Sequence, residues 1–447
     1  MYNFTYNKPV FNLDSLNKWL IIFVPISTMA GNLLLNLNVI LVDILFIYFI
    51  FKKKIKFEKY LFYVVIFLSV IFLINFLTTS NNYLTSRAIL GIIRYFIFFV
   101  AFSYFLENEE NKKFFFKIIF YLLIFVLIDV LIQYVFGRDI FGNEYSTQHG
   151  KRLSGPFGDE YVVGAYLSKL YFLGIMYLLL TTKNNLIYLG YLLASLLIIF
   201  LTQERSAFFI SFFAFIFFIF FFKIKIKQKF FLLLALTAML SFFIKYDETT
   251  FKKYYSLTIQ QLGFSEQVHL RSLELVDNKA ASNEDKSNIK QHKIETFWDS
   301  RYGAHFLTAF QIFNDNKIFG SGIKTFREVC ELKKYETINS KYYDRRCNTH
   351  PHNIYYEILS EGGLVIFIPF CFFIIFLCLK NFNNLIKKNN YNYSLINICF
   401  LIILFFPIQT TGSFFSTFNG VFYWILLSII LNNMKLNLFL FSFEKQN

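Results

Sequence analysis

Charge is absent from long stretches of this chain, and that absence limits its fold more than any motif does. Runs rich in Phe, Ile and Leu fill most of the 447 residues, and one polar block, residues 247–353, interrupts them. The block closes on Thr349-His350-Pro351-His352-Asn353, after which the apolar sequence resumes. A helix needs roughly 20 apolar residues to cross a hydrocarbon core about 30 Å thick. Barrel strands would show short alternating segments, and these runs do not alternate. The pattern predicts an all-α polytopic membrane protein with about twelve transmembrane helices and one large, partly helical extramembrane loop.

Composition narrows the alternatives. Hydrophobic residues make up 56% of the chain and charged residues 16%, too few to give a soluble protein of this length a charged skin. A bias toward Phe, Ile, Lys and Asn can account for part of the 64 Phe, but not for their segregation into charge-free runs. The net charge of +15 does not indicate nucleic-acid binding, because the basic residues sit in short clusters between apolar runs. Met1 to Lys18 lacks the basic segment and small-residue cleavage site of a signal peptide.

Helices are expected near 17–35, 36–51, 60–78, 86–106, 114–136, 160–180, 186–201, 206–222, 230–246, 354–379, 394–408 and 415–434. This divides the chain into a first bundle of nine helices (1–246), the large loop (247–353) and three C-terminal helices (354–447). One set of short loops, 52–59, 112–113, 183, 223–229 and 380–388, holds fifteen lysines. The opposite set holds five basic residues: Arg87, Arg138, Lys151, Arg152 and Arg205. Lysine and arginine favour the cytoplasmic side, so both termini are expected there. The unusual polar segments 137–159, 202–205, 247–353 and 409–420 then share the outer face.

That face carries the candidate chemistry. Lys151 and Arg152 precede a Gly155-Pro156 turn and run against the positive-inside trend, which suits an anionic headgroup as well as a plain solvated loop. Arg205 lies in Thr202-Gln203-Glu204-Arg205-Ser206 between two apolar helices. It is either neutralised by Glu204 at the interface or held as a guanidinium that grips diphosphate oxygens in pairs. Arg301 opens a helix with apolar positions Phe306, Ala309, Phe310 and Phe313, and is a further candidate phosphate ligand or a surface charge. Gly320-Ser321-Gly322 follows as a turn and is no dinucleotide fingerprint. Cys330 and Cys347 share the outer loop, where disulfides persist, and are a candidate pair. His350 and His352 are candidate general bases, with zinc ligation or a helix-capping turn as the alternatives. His352 is favoured because it is nearer the helix, and Glu361 sits at the entrance of the next span.

Taken in order, Arg152-Leu153-Ser154-Gly155-Pro156-Phe157, Glu204-Arg205-Ser206, Phe319-Gly320-Ser321-Gly322 and His352-Asn353-Ile354-Tyr355-Tyr356-Glu357 with Glu361-Gly362 resemble the O-antigen ligase and polymerase superfamily. The resemblance implies a multi-pass protein of the bacterial inner membrane with a periplasmic loop. It implies an undecaprenyl-diphosphate-linked glycan as donor and lipid A–core, or another glycan, as acceptor. It also implies that Arg152 and Arg205, with Arg301 less securely, hold the diphosphate, that His352 deprotonates the acceptor, and that neither cofactor nor catalytic metal is needed. Lys151, His350 and Glu361 would line the substrate. Two positions depart from the family pattern: Glu204 replaces a small or hydroxyl residue, and His305 stands near a common aromatic. A ligase, a repeat-unit polymerase and a polysaccharide transporter or flippase all remain open at this point, the last kept alive by Asp129 within an expected span.

Overall fold

The computed structural model describes residues 12–53, 55–146, 151–256, 258, 297–336, 338, 340, 343–410, 412–436 and 438–439. Among the described residues nine α-helices precede the polar block: α1 (Leu13–Ser27), α2 (Asn32–Lys53), α3 (Lys59–Thr78), α4 (Asn82–Glu107), α5 (Glu109–Phe136), α6 (Val163–Thr181), α7 (Asn185–Leu201), α8 (Arg205–Phe221) and α9 (Ile226–Tyr246). The block contributes α10 (Arg301–Asp315), and the chain continues with α11 (Ile354–Ile386), α12 (Tyr391–Phe405) and α13 (Thr417–Asn433). Among the described residues seven helices (α2–α6, α9 and α11) are long and apolar enough to cross a bilayer. Three more (α7, α8 and α12) are apolar but shorter.

The division between α1 and α2 falls earlier than the sequence suggested. Gly31, with φ 98°, permits the reversal, and Asn36 and Asn38 continue inside α2. There Asn38 donates its side-chain amide to the Leu20 carbonyl at 3.1 Å, joining the two helices.

A single aromatic-rich core runs through the bundle, with Phe102, Phe115, Tyr171, Phe172, Phe400 and Tyr423 buried in it. By contrast α3, α9 and α11 turn most of their apolar surface outward, through residues such as Phe62, Phe230 and Phe372. Such continuous apolar surface would be costly in water and is at home in lipid. The molecule is therefore built as a membrane protein.

At one end of the bundle the breaks between helices lie against each other. Gln203 donates to the Thr249 and Thr250 hydroxyls, Ser206 to the Thr410 carbonyl, and Asn353 to the Pro407 and Gln409 carbonyls. At the other end Lys53 pairs with Asp14, Lys112 approaches the Tyr393 ring, and Lys223 lies 4.1 Å from the Tyr391 ring centre.

The longest helix is broken. Gly363 in α11 has φ 62° and ψ −169°, so residues 354–362 form a separate half. Its interrupted ladder is completed by the polar block: Leu364 and Val365 donate to the Lys317 and Ile318 carbonyls, while Ser321 and Gly322 donate to those of Ser360 and Glu361. Asn75 of α3 closes the joint, donating to the Phe319 and Glu361 carbonyls and accepting from the Ile323 N–H. Irregular backbone at membrane depth survives only where protein satisfies it in this way. Gly320 is required at this crossing, since a Cβ there would lie 2.3 Å from the Glu361 carbonyl oxygen and its φ is +72°.

Candidate functional site

The loop after α5 is folded by two side chains of that helix. Asp129 accepts from the Ile140 N–H at 2.8 Å. Gln133, fully buried, accepts from the Ser154 and Gly155 N–H groups and donates to the Asn143 carbonyl and Ser154 hydroxyl. With Asn143, Ser154 and Gly155 tied to the helix end, Arg152 reaches inward. Its guanidinium donates to the Tyr161 carbonyl at 2.6 Å and lies 3.9 Å from the Glu204 carboxylate.

Glu204 is a carboxylate that Arg152, Lys169 and Lys253 share. It caps the entry to α6, accepting from the Gly164 N–H at 2.7 Å. Only a glycine at 164 admits it, because a Cβ would sit 2.4 Å from the Thr202 hydroxyl and 3.0 Å from Glu204. Burial raises the Glu204 carboxyl above its ordinary range, against the pull of Arg152, the Gly164 N–H and Lys169.

Two lysines that the sequence reading passed over complete the cluster. Lys169 of α6 donates to Asn419 at 3.1 Å and lies over the Phe422 ring, within electrostatic reach of Glu204. Lys253 follows a single helical turn, Glu248–Phe251. Burial lowers its ammonium to about 8, helped by repulsion from Arg152 and Arg205 and opposed by Glu204. Arg152, Lys169, Arg205 and Lys253 thus gather around one acidic residue. A surplus of positive charge in a partly buried place suits an anion with several oxygens.

Arg205 opens α8 within electrostatic reach of Tyr254 and Tyr302. Tyr254 is itself locked, with its hydroxyl on the Phe200 carbonyl at 2.9 Å and its ring stacked on Phe200. Tyr302, from the first turn of α10, connects the cations to the histidines. Its ring meets His352 edge-on at 5.4 Å. His352 also lies 4.2 Å from the His350 ring and 5.4 Å from the His305 ring, centre to centre. Among the described residues no group of three or more His, Cys, Asp or Glu is arranged to hold a metal ion.

The protonation of His352 follows from its neighbours. Thr349 donates its backbone N–H to the Asn348 Oδ1 at 2.7 Å, so the Asn348 Nδ2 must face the ring. That amide lies 2.9 Å from His352 Nε2 and can only donate, which makes Nε2 the acceptor. His352 has φ 60°, a conformation uncommon for residues other than glycine, in which Asn, Asp and His are enriched. The following Asn353 caps α11 by accepting from the Tyr355 and Tyr356 N–H groups.

The remaining candidates take other positions. Lys151 rests over the Tyr134 and Tyr145 rings. Arg301 is exposed at the start of α10. His350 is hydrogen-bonded through Nδ1 to the Thr349 hydroxyl. Glu361, expected at the span entrance as a substrate contact, is 1% exposed and accepts from the Lys324 and Phe326 N–H groups. Both carboxylate oxygens therefore brace the loop against α11. Cys330 and Cys347 are joined as a disulfide. Lys169 is one charge in an apolar run, a signal of the same kind as Asp129 that the sequence reading did not take up, and Lys253 gave none because only folding brings it to Arg205. His305 was marked as a departure near a common aromatic, but neither Tyr302 nor the proximity of both to His352 was.

No curated protein matches the chain. Residues 190–371, from α7 through the break in α11, match the family model described as O-antigen ligase. That stretch holds Arg205, Lys253, Tyr302, His305 and His352, and the match supports the resemblance to the O-antigen ligase superfamily over that part of the chain.

Proposed function

We propose that the protein is an O-antigen ligase-like inverting glycosyltransferase, which moves a glycan from undecaprenyl diphosphate to a hydroxyl of lipid A–core at the periplasmic face of the bacterial inner membrane. The observation that carries this reading is the gathering of four cations around Glu204, with Tyr302 connecting them to a histidine whose Nε2 accepts. In this arrangement residues 1–246 and 354–447 hold the bilayer, both termini are cytoplasmic, and residues 247–353 form the periplasmic cap.

The chemistry follows from the charges. The diphosphate lies against Arg152 and Arg205, supported by Lys169 and Lys253, with its polyprenyl tail in the surrounding lipid. The acceptor hydroxyl takes the position on His352 Nε2 that the Asn348 amide holds now. As the acceptor oxygen bonds to the glycan C1, its proton passes to Nε2. The C1–O bond to phosphate breaks on the opposite side, its electron pair stays with the diphosphate, and the anomeric configuration inverts. Fixed cations stabilise the charge that develops on the leaving group. Energy comes from the donor itself, so the resemblance calls for no cofactor.

Reconstitution of the purified chain in liposomes with an undecaprenyl-diphosphate glycan and lipid A–core tests the reading. Glycan on the core is the expected product. Lengthened undecaprenyl-linked chains would reassign the protein as a polymerase, and donor crossing the bilayer without any new glycosidic bond would make it a transporter.

A further inference from the structure

We propose that His305 is a positioning residue for His352, held to that task through Arg346 by the Cys330–Cys347 bond. The inference rests on His352 being the base of the proposed transfer. His305 is 4% exposed, and its Nδ1 lies 2.9 Å from the Arg346 carbonyl oxygen. A carbonyl only accepts, so Nδ1 carries the proton and Nε2 the lone pair. Burial lowers the basicity of this ring and Arg301 lowers it further, against the carbonyl bond. His305 therefore presents a neutral, fixed imidazole 5.4 Å from the His352 ring, with Tyr302 touching both.

His352 needs such a wall. It sits on a loop in a left-handed backbone conformation, and its exposed partner, Asn348, gives way to the acceptor. A base must be held within about half an ångström of its working position. A charged neighbour would also oppose the imidazolium that forms when His352 takes the proton.

The anchor of His305 is unusually well tied. Arg346 is 8% exposed and donates through Nε to the Cys330 carbonyl at 2.9 Å and through Nη1 to the Tyr343 carbonyl at 3.1 Å. The next residue, Cys347, is bonded covalently to that same Cys330. One peptide unit is thus clamped by a guanidinium on one side and a disulfide on the other, and its carbonyl fixes the tautomer of His305. Arg346 itself stays far from the cations of Arg152 and Arg205 in sequence and role.

The test uses the full chain in liposomes. Reduction by dithiothreitol, or the Cys330→Ser/Cys347→Ser pair, is expected to lower kcat about tenfold while the donor KM stays within about twofold, the scale of losing an orienting partner. His305→Phe should do the same. His305→Asn, whose amide can still donate to Arg346, should retain more kcat than Phe. Combining reduction with His305→Phe should be no worse than either alone, whereas multiplying losses would overturn the proposal. A second readout is independent of catalysis: the rate at which diethyl pyrocarbonate modifies His352, followed by mass spectrometry. It should rise several-fold on reduction, and an unchanged rate would also overturn the proposal. If His352→Ala retained transfer, the base assignment would fail while the modification rate still reported on the link from disulfide to His352.

Discussion

At the scale of single residues, the site combines mismatched charge with one strained backbone. Left-handed φ at a residue such as His352 costs about 1 kcal/mol or more, and it persists because Asn353 is tied to the Pro407 and Gln409 carbonyls. Replacing His352 with Ala should abolish transfer in the liposome assay and leave membrane insertion intact. Arg205→Lys keeps the charge but loses the planar fork. It should lower kcat/KM for the donor about 100-fold, and a loss under fivefold would remove Arg205 from diphosphate binding. Lys253 adds a pH dependence. Its ammonium is depressed to about 8 in the folded protein, so it is charged below that pH and neutral above it. Donor kcat/KM, which reports the free enzyme, should fall as pH rises through about 8, and Lys253→Met should lack that limb. For stability the sign is opposite. Burial disfavours the charged lysine, so its charge opposes the fold below pH 8, and the penalty disappears between 8 and 10.5.

At the scale of elements, the helices lie where apolar runs lie, because the bilayer imposes length and composition on each of them. The junctions were harder to read. The apolar run after Asn353 reads as one span, yet it breaks at Gly363, since the Gly320 and Gly322 backbones must cross it closely. That crossing joins residues some forty positions apart and leaves no local periodicity to detect. Gly320→Ala should therefore destabilise the protein by about 1–3 kcal/mol from its φ alone, with steric overlap added. Gly190→Ala, in α7 with open space at its Cβ, is the control and should be neutral or slightly stabilising. Thermal unfolding in detergent distinguishes the two, and equal midpoints would mean that the crossing relaxes at no cost.

At the scale of the whole molecule, the lysine-rich loops and the arginine-bearing loops occupy opposite ends of the bundle. A membrane-impermeant maleimide applied to intact cells should label Asp159→Cys and spare Lys183→Cys, and the reverse pattern would invert the proposed orientation. The sequence made Arg152 and Arg205 visible because each breaks an apolar or positive-inside pattern, and His352 because its imidazole stands just before a helix. It left Lys169 and Tyr302 unmarked, since their meaning comes from neighbours supplied by α13 and the histidine loop. It did not show that Glu361, next to the break in its helix, accepts from the Lys324 and Phe326 backbone.

The joint at Gly363 also sets an order of assembly. Asn75 bonds to the carbonyl of Glu361, 286 residues further along the chain. At about 5–20 residues per second, α3 waits roughly 15–60 s after its own synthesis for the groups that satisfy that amide. During that interval the first bundle carries an unsatisfied polar side chain at membrane depth, and the cap cannot finish folding before α11 arrives. The protein is completed by its second half, so a ribosome that stalls within the polar block leaves behind a bundle with an open wound in its wall.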